Sequence, residues 1–119
     1  MQADERDAGY LWDMLDSART IREFVTGFRF HQYLQDKKLQ LAVERAIEII
    51  GEAARHVSEA FRQAHSEIPW QGIIAQRNVL AHEYGEILQE LIWKVATTRI
   101  PELITLLEPL IPPPPKTDA

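Results

Sequence analysis

Every long apolar pattern in this chain repeats at steps of three and four residues, and none alternates at a step of two. Such spacing gathers apolar side chains on one face of an α-helix and leaves no half-buried strand from which to build a sheet. Leu11, Met14, Leu15, Ala18, Ile21 and Val25 form the first stripe, with Asp4, Glu5 and Asp7 upstream where carboxylates favour a helix start. The pattern predicts a helix over about Asp7 to Thr26. After a linker from Gly27 to Gln35, Asp36 can act as an N-cap. A stripe from Val43 through Ala46, Ile47, Ile50, Ala53, Ala54, Val57 and Ala60 to Phe61 then gives a second helix, the longest. Ser66-Glu67-Ile68-Pro69 marks a third start, and Trp70, Ile73, Ile74, Leu80 and Ala81 continue its core face. Gly85, after Tyr84, is placed to close that helix in the left-handed conformation. A fourth helix begins at Glu86 and a fifth carries Leu103 to Ile111, with Pro101 between them predicting a kink or break. The expected fold is an all-α bundle of four to five helices.

A chain of 119 residues fits one domain, expected here over residues 1–111, and 45% hydrophobic residues supply a core to bury. The prolines from Pro112 to Pro115 cannot continue a helix, so residues 112–119 are expected to form a stiff, extended tail. With no cysteine, disulfides, thiolate zinc sites and cysteine nucleophiles are excluded together. The longest stretch without Asp, Glu, Lys or Arg runs from Ile68 to Gln76, too short for a membrane span, and the acidic start is unlike a signal peptide. A soluble, cytoplasmic protein is therefore expected. The net charge of -5 counts against a broad nucleic-acid surface. Basic side chains concentrate in residues 27–65, at Arg29, Lys37, Lys38, Arg45, Arg55 and Arg62.

Phosphate-binding glycine loops, a His-Glu-x-x-His helix and a G-x-S-x-G elbow are all missing, and the four histidines show no metal-ligand spacing. No cofactor is expected. The stretch that stands out is Arg77-Asn78-Val79-Leu80-Ala81-His82-Glu83-Tyr84. Seven residues apart on a helix, Arg77 and Tyr84 would share a face, whereas Arg77 and His82 would differ by about 140° unless the helix end deviates. A histidine in a last helical turn sits at the negative end of the helix dipole and can exchange a proton near neutrality. An arginine supplies a planar, permanent charge that fits a phosphate. Together they suit phosphodiester cleavage without a metal. Spacing alone equally allows a plainer reading, in which Arg77 is a surface ion-pair partner, His82 a helix cap and Tyr84 a packing residue. His31, His56 and His65 read as solvated or partly packed. Trp12, Trp70 and Trp93 read as core, and the charges from Arg45 to Arg62 as a solvated helix face.

Arg77, His82 and Tyr84 stand as Arg-x4-His-x-Tyr, and here the chain resembles the HepT-like toxins of the HEPN superfamily of helical nucleases. The resemblance extends through Ala42-Val43-Glu44-Arg45, Ile49-Ile50-Gly51-Glu52-Ala53-Ala54, Glu67-Ile68-Pro69-Trp70, Ile92-Trp93 and Pro101, covering about residues 7–111. It implies a metal-independent endoribonuclease, the toxin of a toxin-antitoxin pair, with Arg77 and His82 as the catalytic residues and Asn78 supporting them. It also implies a homodimer whose two motifs line one composite cleft, and an MntA-type nucleotidyltransferase antitoxin that attaches AMP to Tyr84. Glu83 departs from the pattern by placing a carboxylate between His82 and Tyr84. The competing function is a non-catalytic helical adaptor that binds a nucleotidyltransferase or a nucleotide through the same cleft.

Overall fold

Two antiparallel stripes set the architecture. In the computed structural model, which describes residues 2–111 apart from the side chain of Arg77, helix α1 spans Glu5–Val25 and α3 spans Lys37–His56. These two make the most extensive helix-helix contact. Asp4 caps α1 by accepting from the Asp7 N–H at 2.7 Å, and Asp36 caps α3 by accepting from Leu39 N–H at 2.9 Å, as its position in the sequence predicts. Between them Leu11, Met14, Ala18 and Ile21 of α1 meet Val43, Ala46, Ile50 and Ala54 of α3 in one core. The C-terminal rod lies on the α1 flank, and α5 (Trp70–His82) lies against α3. The two helices come close at Gly51, where a Cβ would sit in van der Waals contact with the Ile73 carbonyl oxygen at 3.4 Å. The described residues contain helices and no strand, in agreement with the all-α bundle read from the periodicity.

The structure departs from the sequence reading at three places. The linker from Gly27 to Gln35 contains a short helix, α2 (Phe30–Leu34), whose Tyr33 is wholly buried against Trp93, ring centroids 5.1 Å apart. The second stripe stays in phase through Phe61, but its backbone does not. The α3 helix stops at His56, Val57 turns extended, and Ser58 caps a separate α4 (Glu59–Ala64) by accepting from Phe61 N–H. That break is held from far away in sequence: the buried Asp7 carboxylate accepts from the Ser58 N–H at 2.8 Å and from its hydroxyl at 2.6 Å.

The third departure lies at Pro101, where no break occurs. The chain runs as one rod through α6 (Gly85–Lys94), a π-helical turn (Val95–Arg99), α7 (Ile100–Leu107) and a closing 3-10 turn (Glu108–Leu110). Proline lacks an N–H and its ring crowds the carbonyl four residues back. The π turn answers both problems, with Ile100 N–H reaching five residues back to the Val95 carbonyl and widening the helix ahead of the ring. Arg19 of α1 pairs with Glu108 at 3.3 Å, fixing the far end of this rod. Among the described residues no helix is long and apolar enough to cross a membrane. The expected tail, residues 112–119, lies outside the described residues.

Candidate functional site

The residues singled out by the sequence fall at the C-terminal end of α5 and the turn into α6. The α5 helix is regular through His82, then Glu83 turns extended while its N–H still bonds the Val79 carbonyl at 2.9 Å. Tyr84 is extended as well. Gly85 does adopt the left-handed conformation, φ +69°, but it opens α6 and does not close α5. The helix has already ended three residues earlier, because Glu83 leaves the helical conformation. Tyr84 therefore lies beyond the helix, and the shared face with Arg77 that a seven-residue helical spacing would give does not form.

Regularity through His82 also fixes the angular relation within the motif. Five residues of α-helix separate Arg77 from His82 by about 140° in azimuth and about 7.5 Å along the axis. Asn78 and His82, four apart, differ by only about 40°, so the structure brings Asn78 onto the histidine's face. His82 is exposed, and among the described residues its ring has no hydrogen-bond or ionic partner, Glu83 included. Tyr84 is 84% exposed, the most open of the large hydrophobic side chains among the described residues. Asn78 borders a shallow hollow with Gln71, Ile74, Ala75 and Ala81.

On the opposite flank of the same helix end, Leu80 and Ala81 border a second hollow with Arg45, Glu48 and Glu52 of α3. The sequence reading leaves these three on a solvated face, and their ion pairs agree with it: Arg45 to Glu48 at 3.2 Å and Arg55 to Glu52 at 2.7 Å. What periodicity does not reveal is that the antiparallel packing of α3 and α5 carries that face up to the motif. Hydrogen bonds from Arg55 and then His56 hold the Glu52 carboxyl below its ordinary range. Among the described residues no three His, Asp or Glu side chains gather where a metal ion could sit.

The α5 helix is apolar on more than its packed face. Of Trp70, Ile73, Ile74, Val79 and Leu80 only Trp70 is buried. Between α5, Ile47 and Ile50 of α3, and Leu103 and Leu106 of α7 lies an open groove of about 380 Å³. Around the turn, Ile87 is 61% and Leu91 42% exposed, one helical turn apart on α6. A helix apolar on several sides is normally covered.

Known proteins resemble this chain over most of its length. The profile of a family described as HepT-like, ribonuclease HepT-like, matches residues 14–110. A protein named as a ribonuclease HepT in Thermococcus cleftensis is 39% identical over 94 residues, which is 79% of this chain and 86% of that one. Proteins named as RNases in Methanocaldococcus jannaschii and Caldanaerobacter subterraneus subsp. tengcongensis are 35% and 37% identical over 94 residues. Those alignments cover 79% of this chain and 86% and 84% of theirs. No solved structure matches.

Proposed function

The chain belongs to the HepT-like ribonuclease family, and from that premise we propose that it is a metal-independent endoribonuclease, the toxin of a toxin-antitoxin pair. The observation that carries the reading is the motif's position. Arg77, His82 and Tyr84 are all intact at one helix end, with His82 and Tyr84 open to solvent on either side of the α5 terminus. In the reaction, Arg77 holds the scissile phosphate and stabilises the charge that builds on it. His82 takes the proton of the ribose 2'-hydroxyl, whose oxygen then bonds to phosphorus. The bond from phosphorus to the 5' oxygen breaks, and that oxygen is protonated by an imidazolium. Asn78, on the His82 face, supports the histidine's orientation.

An azimuth of about 140° keeps Arg77 and His82 of one helix from converging directly. A homodimer resolves this by placing two motifs across one cleft, so that each copy supplies what the other's helix faces away from. The incompletely covered α5 and the exposed Ile87 and Leu91 support such an assembly. Tyr84 is the control point. An MntA-type nucleotidyltransferase joins its phenolic oxygen to the α-phosphorus of ATP with pyrophosphate leaving, and the AMP repels RNA by charge and bulk.

Purified protein, His82→Ala, and protein co-expressed with an MntA-type nucleotidyltransferase are to be compared on total RNA and tRNA in EDTA. The expected result is cleavage by the first alone, with AMP on Tyr84 of the third by mass spectrometry. If wild-type protein with an unmodified Tyr84 leaves RNA intact yet binds the transferase tightly, the adaptor function replaces this one.

A further inference from the structure

The catalytic turn is poor in positive charge for an enzyme that must hold a polyanion, and the chain as a whole carries -5. Between residues 22 and 38 the balance reverses, with four cations against two carboxylates. One of those carboxylates, Asp36, is occupied in capping α3. Arg22 lies in the last turn of α1, Arg29 precedes α2, and Lys37 and Lys38 open α3, so the topology gathers all four at one end of the bundle. Among the described residues none of the four has an ion-pair partner, whereas Arg19, Arg45, Arg55 and Arg99 are each tied to a carboxylate.

Fold stability accounts for Arg22, a cation at the negative end of the α1 dipole, but not for Lys37 and Lys38. Cations in the first turn of a helix face the positive end of its dipole, and at the start of α3 the single capping carboxylate of Asp36 stands against both Lys37 and Lys38. Two aromatic rings share the same region without being consumed by the core, Phe24 and Phe28, each 39% exposed. Unpaired cations interleaved with open aromatic faces suit a single-stranded nucleic acid, phosphates on the charges and bases on the rings.

This end also faces the motif. Because α3 and α5 are antiparallel, Gly51 meets Ile73 while Arg45 borders Leu80 and Ala81, so His82 lies toward the start of α3. From Arg45 to Lys38 is seven residues, about 10 Å along the helix. Gln89 of α6 reaches Glu44 at 3.4 Å, which keeps the Tyr84 turn at the same end.

We propose that the surface formed by Arg22, Phe24, Phe28, Arg29, Lys37 and Lys38 binds single-stranded RNA beside the scissile phosphate and so selects extended substrates over short ones. The proposal rests on the ribonuclease function above and assigns it a second, non-catalytic contact region.

The test uses Arg29→Gln/Lys37→Gln/Lys38→Gln, and separately Phe28→Ala. Binding of a short fluorescein-labelled single-stranded RNA is followed by anisotropy across a salt series in the non-cleaving His82→Ala background. Cleavage of long RNA and of a dinucleotide is measured in the otherwise wild-type background. Removing three phosphate contacts should lower the logarithmic salt slope by about 2 and weaken binding at low salt by about tenfold or more. Phe28→Ala should weaken binding about fivefold or more with the slope unchanged. Long-RNA cleavage should fall through KM while dinucleotide cleavage is unaltered. The triple variant's melting temperature should equal or exceed that of the parent, since two charges opposed to a helix dipole are gone. An unchanged affinity and slope would overturn the proposal while leaving the ribonuclease function standing. So would binding of polyglutamate as tight as that of RNA, which would assign the surface to an acidic protein partner. Failure of the parent to cut any RNA would instead strike the ribonuclease function.

Discussion

Replacing Asp7 by alanine should cost the fold about as much as truncating a buried core side chain. The side chain is 5% exposed, and its two oxygens accept from the Ser58 N–H and hydroxyl, 51 residues away, at 2.8 and 2.6 Å. Hydrogen bonds to a charged group contribute about 1.5–3 kcal/mol each, and truncation leaves the Ser58 N–H without its acceptor. A first-turn carboxylate adds about 0.5 kcal/mol through the α1 dipole. Because both bonds end on one residue they are not additive, and about 3 kcal/mol is the expected loss. For a domain stable by about 5–15 kcal/mol that is a large share. The assay is urea unfolding followed by far-UV circular dichroism, with Asp7→Ala, Ser58→Ala and the double variant compared. Ser58→Ala should cost about 1–2 kcal/mol, through the lost hydroxyl bond and the lost α4 cap. The double variant should fall short of the sum by about 1 kcal/mol or more. A loss within about 0.5 kcal/mol for Asp7→Ala, the range of an ordinary surface change, would refute the argument that this contact holds the α3–α4 break.

Three further outcomes follow from particular groups. Tyr33→Phe should stabilise the fold by about 1 kcal/mol, because the buried hydroxyl has no hydrogen-bond partner among the described residues. Burial and the neighbouring Glu44 push the Tyr33 phenol far above its ordinary 10.0, so the parent loses stability as pH rises past about 10, where the unfolded phenol ionises first. The variant should lose less, as read from melting temperature against pH. Gly85→Ala should cost about 1–2 kcal/mol from left-handed strain alone, since the added methyl group would meet no atom within 4 Å, and thermal unfolding would show this. Glu52→Gln should flatten the acid limb of the stability profile. A carboxyl held below its ordinary range stabilises the fold above the unfolded value of about 4.5 and loses that contribution as pH falls, so the variant has less to lose.

The two long helices, α1 and α3, were legible because their burial follows their periodicity, and Asp36 announced its own cap. The motif was legible as a string of residues, but its geometry was not. Nothing local says that Glu83 turns extended and leaves Tyr84 beyond the helix. The break at Val57 escaped a reading by stripes because Phe61 stays in phase with Val57. The residue that stabilises the break, Asp7, lies on another helix. Tyr33 escaped for a similar reason, since a five-residue helix is too short to show a period and its burial depends on Trp93 of α6. The unpaired Lys37 and Lys38 were visible as charges, but the proximity of that end to His82 required the antiparallel packing of α3 on α5.

Along the C-terminal rod, Leu88, Ile92, Ala96, Ile100 and Ile104 recur every fourth residue and all are buried. In a regular α-helix each such step overshoots a full turn by about 40°, so a stripe kept up over that length would wander off the core. The π turn works like a leap day in a calendar, absorbing an accumulated remainder with one intercalated residue. Upstream of it the rod addresses α2 and α3, and downstream it addresses α1. The azimuth at which the rod begins, and with it the heading of Tyr84, is thus stored in a residue count about three helical turns away.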